Sequence, residues 1–296
     1  MRVCVGLDGG GTGCRALVAF EDGLRLPVQT GGAANVSTDP DSAIAAIADL
    51  LARAMAAAQA HAGATRLEPE IVLGLAGVVE SGLGPRVRAA LRYPRLSVLG
   101  DIEIALAGAF EDMDGLVMVV GTGSVLACQR GGQMQRLGGY GLGLGDEASG
   151  AWIGRAALRQ SLLARDGLAT DGPLAAALWQ HFGSLAAMIE FAATARPADY
   201  AALAPVVLEH DHAHCPVAGA VLDAGCGYLR AAIARLQAGA HDMPVAALGG
   251  LGPVLLARII AQGGAAFPVV RPKGSALEGA LWLARRRCDM GQEGRT

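Results

Sequence analysis

The sequence predicts an α/β protein of two similar domains, and three observations lead there. Strand-like apolar runs are interleaved with long alanine-rich helical stretches. At 296 residues the chain is long for one core. A strand–turn–strand unit also occurs twice, because Gly11-Thr12-Gly13 returns as Gly121-Thr122-Gly123, each copy between two apolar runs. Repetition of a whole supersecondary unit at so long a spacing suggests paired domains rather than a solenoid.

Each element follows from local pattern. Val3–Leu7, Cys14–Phe20 and Leu24–Gln29 read as consecutive antiparallel strands, with Glu21-Asp22-Gly23 as the second turn. Asp39-Pro40 starts a helix running from about Asp41 to Ala60. Ile71–Leu75 and Leu96–Leu99 are short buried strands on either side of a helical Val87–Leu91, and Ile102–Phe110 is helical. After Glu111–Gly115 the meander restarts as Leu116–Val120, Val125–Gln129 and Gln133–Leu137. From Ala151 to Gln237 the pattern is helical, interrupted at Gly172-Pro173, Arg196-Pro197 and Cys215-Pro216. Val245–Leu248 is a strand, and Pro253–Gln262 and Ser275–Arg287 are helices. The expected domains are residues 1–112 and 113–296, with a helical insert over about 151–237. Whether the last helix packs back on the first domain stays open.

Composition narrows the function classes. Apolar residues make up 52% and charged residues 17%, a globular balance. The net charge of −3 and the lack of any basic block argue against nucleic acid as a partner. No uninterrupted apolar run reaches the ~18 residues of a membrane span, and Met1-Arg2 leads into a strand pattern rather than a leader. The six cysteines form no CxxC pair and read as reduced core residues, so the expected location is cytoplasmic.

Several motifs carry chemistry. Glycines 9, 10, 11 and 13, with Thr12, could be taken for a dinucleotide loop, but such a loop opens a helix. Here the next segment places Cys14, Ala16, Val18 and Phe20 on one strand face, so a hairpin is expected. A glycine turn exposes backbone N–H groups, and the threonine hydroxyl adds a donor, which suits phosphate oxygens. Gly249-Gly250-Leu251-Gly252 links a strand to a helix, either as an ordinary tight turn or as a flat seat for a nucleotide base. Asp101 follows Leu96–Leu99 and Gly100 and precedes a helix, so it is an N-cap, a base at the carboxyl end of a strand, or both. The glycine-dense stretch Gly138–Gly145 suits neither strand nor helix. It reads as a mobile loop ending in Asp146 and Glu147, which either complement a helix dipole or hold sugar hydroxyls. His210, Asp211, His212 and His214 read as a polar helix end rather than a metal cluster.

Taken in order, these residues resemble the N-acetylglucosamine and glucosamine kinases of the BadF/BadG/BcrA/BcrD-type ATPase family, within the actin and sugar-kinase superfamily. The resemblance implies two ribonuclease-H-like (actin-like ATPase) domains around a central cleft that holds ATP and sugar. Gly10, Gly11 and Thr12 look like the first phosphate loop, and Gly121, Thr122 and Gly123 like the second. Gly249, Gly250 and Gly252 look like the adenosine motif, and Gly274–Ala280 like a connecting helix. Asp101 falls at the catalytic base, and Asp8 would hold Mg²⁺ through water. Asn35, Gly139, Tyr140, Gly141 and Asp146 fall at sugar contacts, with Tyr140 where tryptophan is usual. Ala76-Gly77 stands where some acetylamino-sugar kinases place a serine, and Gly13-Cys14-Arg15 looks closer to bacterial glucosamine kinases. The function implied is transfer of the ATP γ-phosphoryl group to the 6-hydroxyl of an amino sugar, by a homodimer. The alternatives are an ATPase that activates a partner enzyme and a non-catalytic sugar sensor.

Overall fold

The computed structural model describes residues 1–263 and 267–293. The chain divides into two compact units: residues 1–115, 129–132 and 271–296, and residues 116–128 and 133–270.

The first unit carries a five-stranded sheet of order β3-β2-β1-β4-β5. Its strands are β1 (Arg2–Gly9), β2 (Cys14–Phe20), β3 (Gln29–Gly31), β4 (Glu68–Leu75) and β5 (Leu96–Gly100). β1 and β2 form an antiparallel hairpin in which Asp8 faces Arg15 and Gly9 faces Cys14. β1, β4 and β5 run parallel, so Gly9, Leu75 and Gly100 end in one row. The long helix α1 (Pro40–Ala62) is capped by the Asp39 carboxylate, which accepts from Ser42 N–H, and it starts with proline at a position needing no donor. It buries Ile47, Leu50, Leu51 and Ala54 against the strands, in a core that also holds Val5, Leu7, Val18, Ile71 and Leu73. The short helices α2 (Val78–Ser81) and α3 (Gly84–Leu91) link β4 to β5. On the other face α4 (Asp101–Phe110) meets the last helix, named below, through glycines: a Cβ at Gly279 would strike Ile104 O and Gly108 N. That contact brings two helix backbones together with no side chain between them.

One expected element is corrected. Leu24–Gln29 is not a strand. Only Arg25 makes an isolated bridge, to Ala19, and the third strand begins at Gln29. Pro27 offers no donor for a ladder there, and Leu24 and Val28 are exposed.

The second unit carries a sheet of order β8-β7-β6-β9, from β6 (Gly115–Val120), β7 (Ser124–Arg130), β8 (Gln133–Gly138) and β9 (Val245–Leu248). Six helices separate β8 from β9: α5 (Gly150–Arg165), α6 (Pro173–Phe182), α7 (Leu185–Thr194), α8 (Pro197–Ala201), α9 (Ala204–His212) and α10 (Pro216–Leu236). They share one core with the sheet, built from Met118, Leu126, Ile153, Leu178, Leu222 and Leu229 among others. α11 (Gly252–Ala261) follows β9, and α12 (Ala276–Glu293), the last helix, belongs to the first unit.

By length and composition α1 and α10 could each cross a membrane, which qualifies the expectation drawn from uninterrupted apolar runs. In this fold each lays one face on a core.

Candidate functional site

The first unit gathers polar groups at the row of strand ends. The turn after β1 is closed by Gly10 N–H donating to Gly13 O at 2.9 Å. It is tied down by Ala34 N–H on Gly10 O (2.8 Å) and Ala76 N–H on Gly9 O (2.9 Å). Among the described residues none accepts from the N–H of Gly11 or Thr12, and a Cβ at Gly11 would meet nothing within 4 Å. These are free donors on an open surface, the arrangement a phosphate requires.

Asp8 sits at the base of this turn, its side chain 17% exposed, with Arg15 Nη2 on Oδ2 at 2.6 Å. Sequence reasoning missed this partner, although a hairpin closed at Gly9–Cys14 sets positions 8 and 15 opposite one another. The carboxylate offers hard oxygens suited to Mg²⁺, with the guanidinium as a competing cation.

Asp101 occupies the first turn of α4. It is not the N-cap: that position belongs to Gly100, whose N–H donates to Glu103 Oε1 at 3.0 Å. A glutamate at the third helical position pulls the helix start one residue earlier. Asp101 Oδ1 accepts from Ile102 N–H at 2.8 Å. The residue therefore stands at the carboxyl end of β5, on a helix N-terminus that favours its negative form.

Asn35 is held by Ser37, which sequence reasoning did not single out. Its Oδ1 accepts from Ser37 N–H (2.9 Å) and Ser37 Oγ (2.7 Å), leaving the amide NH₂ to donate elsewhere. Gly77 closes the neighbouring wall with φ of 76°. A Cβ there would lie 2.5 Å from Ser37 Oγ and 2.8 Å from Asn35 Oδ1, so this wall is backbone alone.

In the second unit the turn Gly121–Gly123 closes by Gly121 N–H on Gly123 O at 2.9 Å. Its carbonyls receive the start of α5: Gly150 N–H donates to Gly121 O (2.8 Å) and Ala151 N–H to Thr122 O (3.2 Å). Asp146 lies against the same turn, since a Cβ at Gly123 would stand 2.9 Å from its Oδ2.

The reading of a mobile carboxylate pair is corrected here. Asp146 is 7% exposed and left-handed, with φ of 58°, and its carboxylate accepts from the N–H groups of Ser124 and Gly141. Burial raises its pKa above the usual carboxylate value, the two hydrogen bonds oppose that, and Glu147 adds to it. Gly139 N–H on Ser124 O (3.0 Å), Ser124 Oγ on Glu147 O (2.6 Å) and Arg155 on Leu142 O (2.7 Å) pin the rest of the loop. A second left-handed residue, Ala148, packs its Cβ close to Gly225. Strain at two adjacent turns of a buried acid is a mark of sites where position matters more than stability. Tyr140 is 62% exposed and Leu144 87% exposed on the same loop.

The linker after β9 resolves glycine by glycine. Gly249, with φ of 79°, has Val120 O where a Cβ would be, and a Cβ at Gly252 would lie a tight 3.3 Å from Met118 O. Close packing on β6 explains both. Gly250 has nothing within 4 Å of a built Cβ and is the glycine with an open face.

The histidine segment holds no metal grouping among the described residues. His210 Nδ1 is hydrogen-bonded to Val206 O, and Asp211 pairs with Arg258 at 2.6 Å.

Known proteins match this architecture. The BadF/BadG/BcrA/BcrD ATPase family model matches residues 5–264. Glucosamine kinase GspK of Vibrio cholerae is 29% identical over 226 residues, covering 74% of each chain. The crystal structure of a candidate N-acetylglucosamine kinase from Chromobacterium violaceum is similar with a TM-score of 0.82 and 33% identity, over 96% of this chain and 99% of that one. A ROK family glucokinase from Streptomyces griseus, solved with glucose and AMPPNP, shares the fold at a TM-score of 0.58 and 17% identity, over 96% and 98% of the two chains. The two-sheet α/β fold is thus that of the actin-like ATPases and sugar kinases, and the chain belongs to the BadF/BadG/BcrA/BcrD ATPase family.

Proposed function

We propose that the protein is an ATP-dependent kinase that transfers the γ-phosphoryl group to the 6-hydroxyl of an amino sugar, glucosamine or N-acetylglucosamine. The observation that carries the reading is the position of Asp101. It stands at the carboxyl end of β5, in the row of strand ends that also presents Asp8 and the open Gly10–Gly13 turn. Phosphoryl transfer needs positioning and charge neutralisation more than covalent chemistry. Asp101 orients the acceptor hydroxyl and takes its proton. The N–H groups of Gly11 and Thr12 hold phosphate oxygens in the first unit; in the second, the Gly121–Gly123 turn is a phosphate-binding turn and Gly250 offers its open face to the adenosine. Asp8 would hold Mg²⁺ through water, and the ion would neutralise phosphate charge. Asn35 donates its amide to a sugar oxygen, and the Gly139–Gly141 backbone and Asp146 receive ring hydroxyls. Glucosamine kinase as the name of a relative, and family membership along most of the chain, support the substrate class.

A partner-activating ATPase of this family would present cysteines to an iron–sulfur cluster. Cys226 is fully buried with its Sγ donating to Leu255 O and is not presented to such a cluster, which favours the kinase. A sugar sensor would bind sugar without releasing ADP. The reading implies a cytoplasmic enzyme, and a homodimer through the helices of residues 151–237 is open to a sedimentation measurement.

Asp101→Ala tests the assignment. Turnover should fall by about two to four orders of magnitude, while a non-hydrolysable ATP analogue still binds in calorimetry. Near-normal phosphorylation by this variant would contradict the proposal.

A further inference from the structure

We infer that Cys4 and Cys288 form a second, non-catalytic site: a dithiol that a low-molecular-weight disulfide converts into an intramolecular disulfide joining the first strand to the last helix. Cys4 lies on β1 and Cys288 near the end of α12, and their sulfur atoms are 3.3 Å apart as free thiols. The elements that carry them are already packed together. Cys4 belongs to a small core with Leu17, Ile104, Leu281 and Ala284, and Cys288 closes its rim. Arg2 Nη1 donates to Cys288 O at 3.4 Å and ties the helix end to the same strand. Disulfide formation therefore needs only a local side-chain adjustment, not docking of distant segments.

The order of events follows from access. Cys288 is partly exposed, whereas Cys4 and the remaining four cysteines are buried. Burial raises both thiols of the pair, Cys4 far more strongly, so neither is a fast nucleophile at neutral pH. Cys288 loses its proton to solvent and attacks one sulfur of the disulfide R–S–S–R, forming a mixed disulfide and expelling RS⁻, which takes up a proton. Cys4 then gives up its proton, attacks the Cys288 sulfur and expels the second RS⁻, again protonated to RSH. The protein loses two electrons and two protons, and the oxidant becomes two thiols. Proximity makes the second step intramolecular, so the mixed disulfide does not accumulate in the wild type.

The test uses the full native chain and oxidised glutathione as the probe. Intact-mass analysis should show loss of two hydrogens without a glutathione adduct. Non-reducing peptide mapping should join the Cys4 and Cys288 peptides, and dithiothreitol should reverse the change. Cys4→Ser should trap the glutathione adduct on Cys288, and Cys288→Ser should leave Cys4 unmodified. Circular dichroism before and after oxidation keeps the result tied to the folded protein. A persistent adduct in the wild type, a cross-link between other cysteines, or a link that forms only after unfolding would overturn the inference.

Discussion

The two Gly-Thr-Gly turns share a tripeptide and differ in what surrounds it. The turn at Gly10–Gly13 spans four residues and is held from below, by Ala34 and Ala76, with Gly11 and Thr12 left open. The turn at Gly121–Gly123 spans three residues; its carbonyls are taken by the first N–H groups of α5, and the Asp146 carboxylate sits against Gly123. Both turns keep open donors: among the described residues none accepts from the N–H of Gly11 or Thr12 in the first, or of Thr122 or Gly123 in the second. The second is built into its unit, joining a strand, a helix start and an acidic loop residue. A repeated motif thus preserves backbone geometry and its open donors, while its neighbours decide what packs against it.

Substitutions can break that contrast, beginning with the largest effect. Loss of Asp101, as set out above, should remove turnover while sparing the nucleotide. Gly123→Ala comes next, because its Cβ would displace the Asp146 carboxylate. We expect kcat/KM for sugar to fall tenfold or more, equivalent to about 1.4 kcal/mol, with KM for ATP changing less. An equal rise in both KM values would show that the second turn serves nucleotide alone.

Asp146→Asn sharpens the comparison through pH. A carboxylate raised by burial favours the folded state most when protonated. That contribution is fully present below the unfolded value near 3.8 and is lost as pH rises through the raised folded value. The stability difference between wild type and Asp146→Asn should therefore move in the wild type's favour as pH falls from neutral towards 4, read from denaturant midpoints. A difference that stays flat with pH would mean that Asp146 is not desolvated. Gly11→Ala should do least: with open space around the new methyl, stability should change by less than about 0.5 kcal/mol. Any kinetic effect should appear in KM for ATP. A stability loss as large as that of Gly123→Ala would erase the distinction between the turns.

Much of this was legible in the order of residues. Alternation from Cys14 to Phe20 made the glycine run a hairpin rather than a dinucleotide loop, and the repeated Gly-Thr-Gly between apolar runs marked the second copy. The position of Asp101 after a short apolar run placed it at a strand end. Its role as a cap was misread because the competing carboxylate, Glu103, acts from two residues downstream. The burial of Asp146 was not legible, since glycine density signals freedom of the backbone and says nothing of hydrogen bonds from Ser124 and Gly141. Nor does sequence spacing separate Gly249, which strand packing requires, from Gly250, which it does not. The Asp8–Arg15 pair was within reach, needing only the hairpin register.

The most direct measurement is ADP release by the purified protein across amino sugars and plain hexoses, with the phosphorylated carbon of the product assigned by NMR. The account predicts that glucosamine or N-acetylglucosamine stimulates release well above plain hexoses and emerges phosphorylated on the 6-oxygen. Absence of stimulation by any sugar, or release indifferent to the amino group, would contradict it.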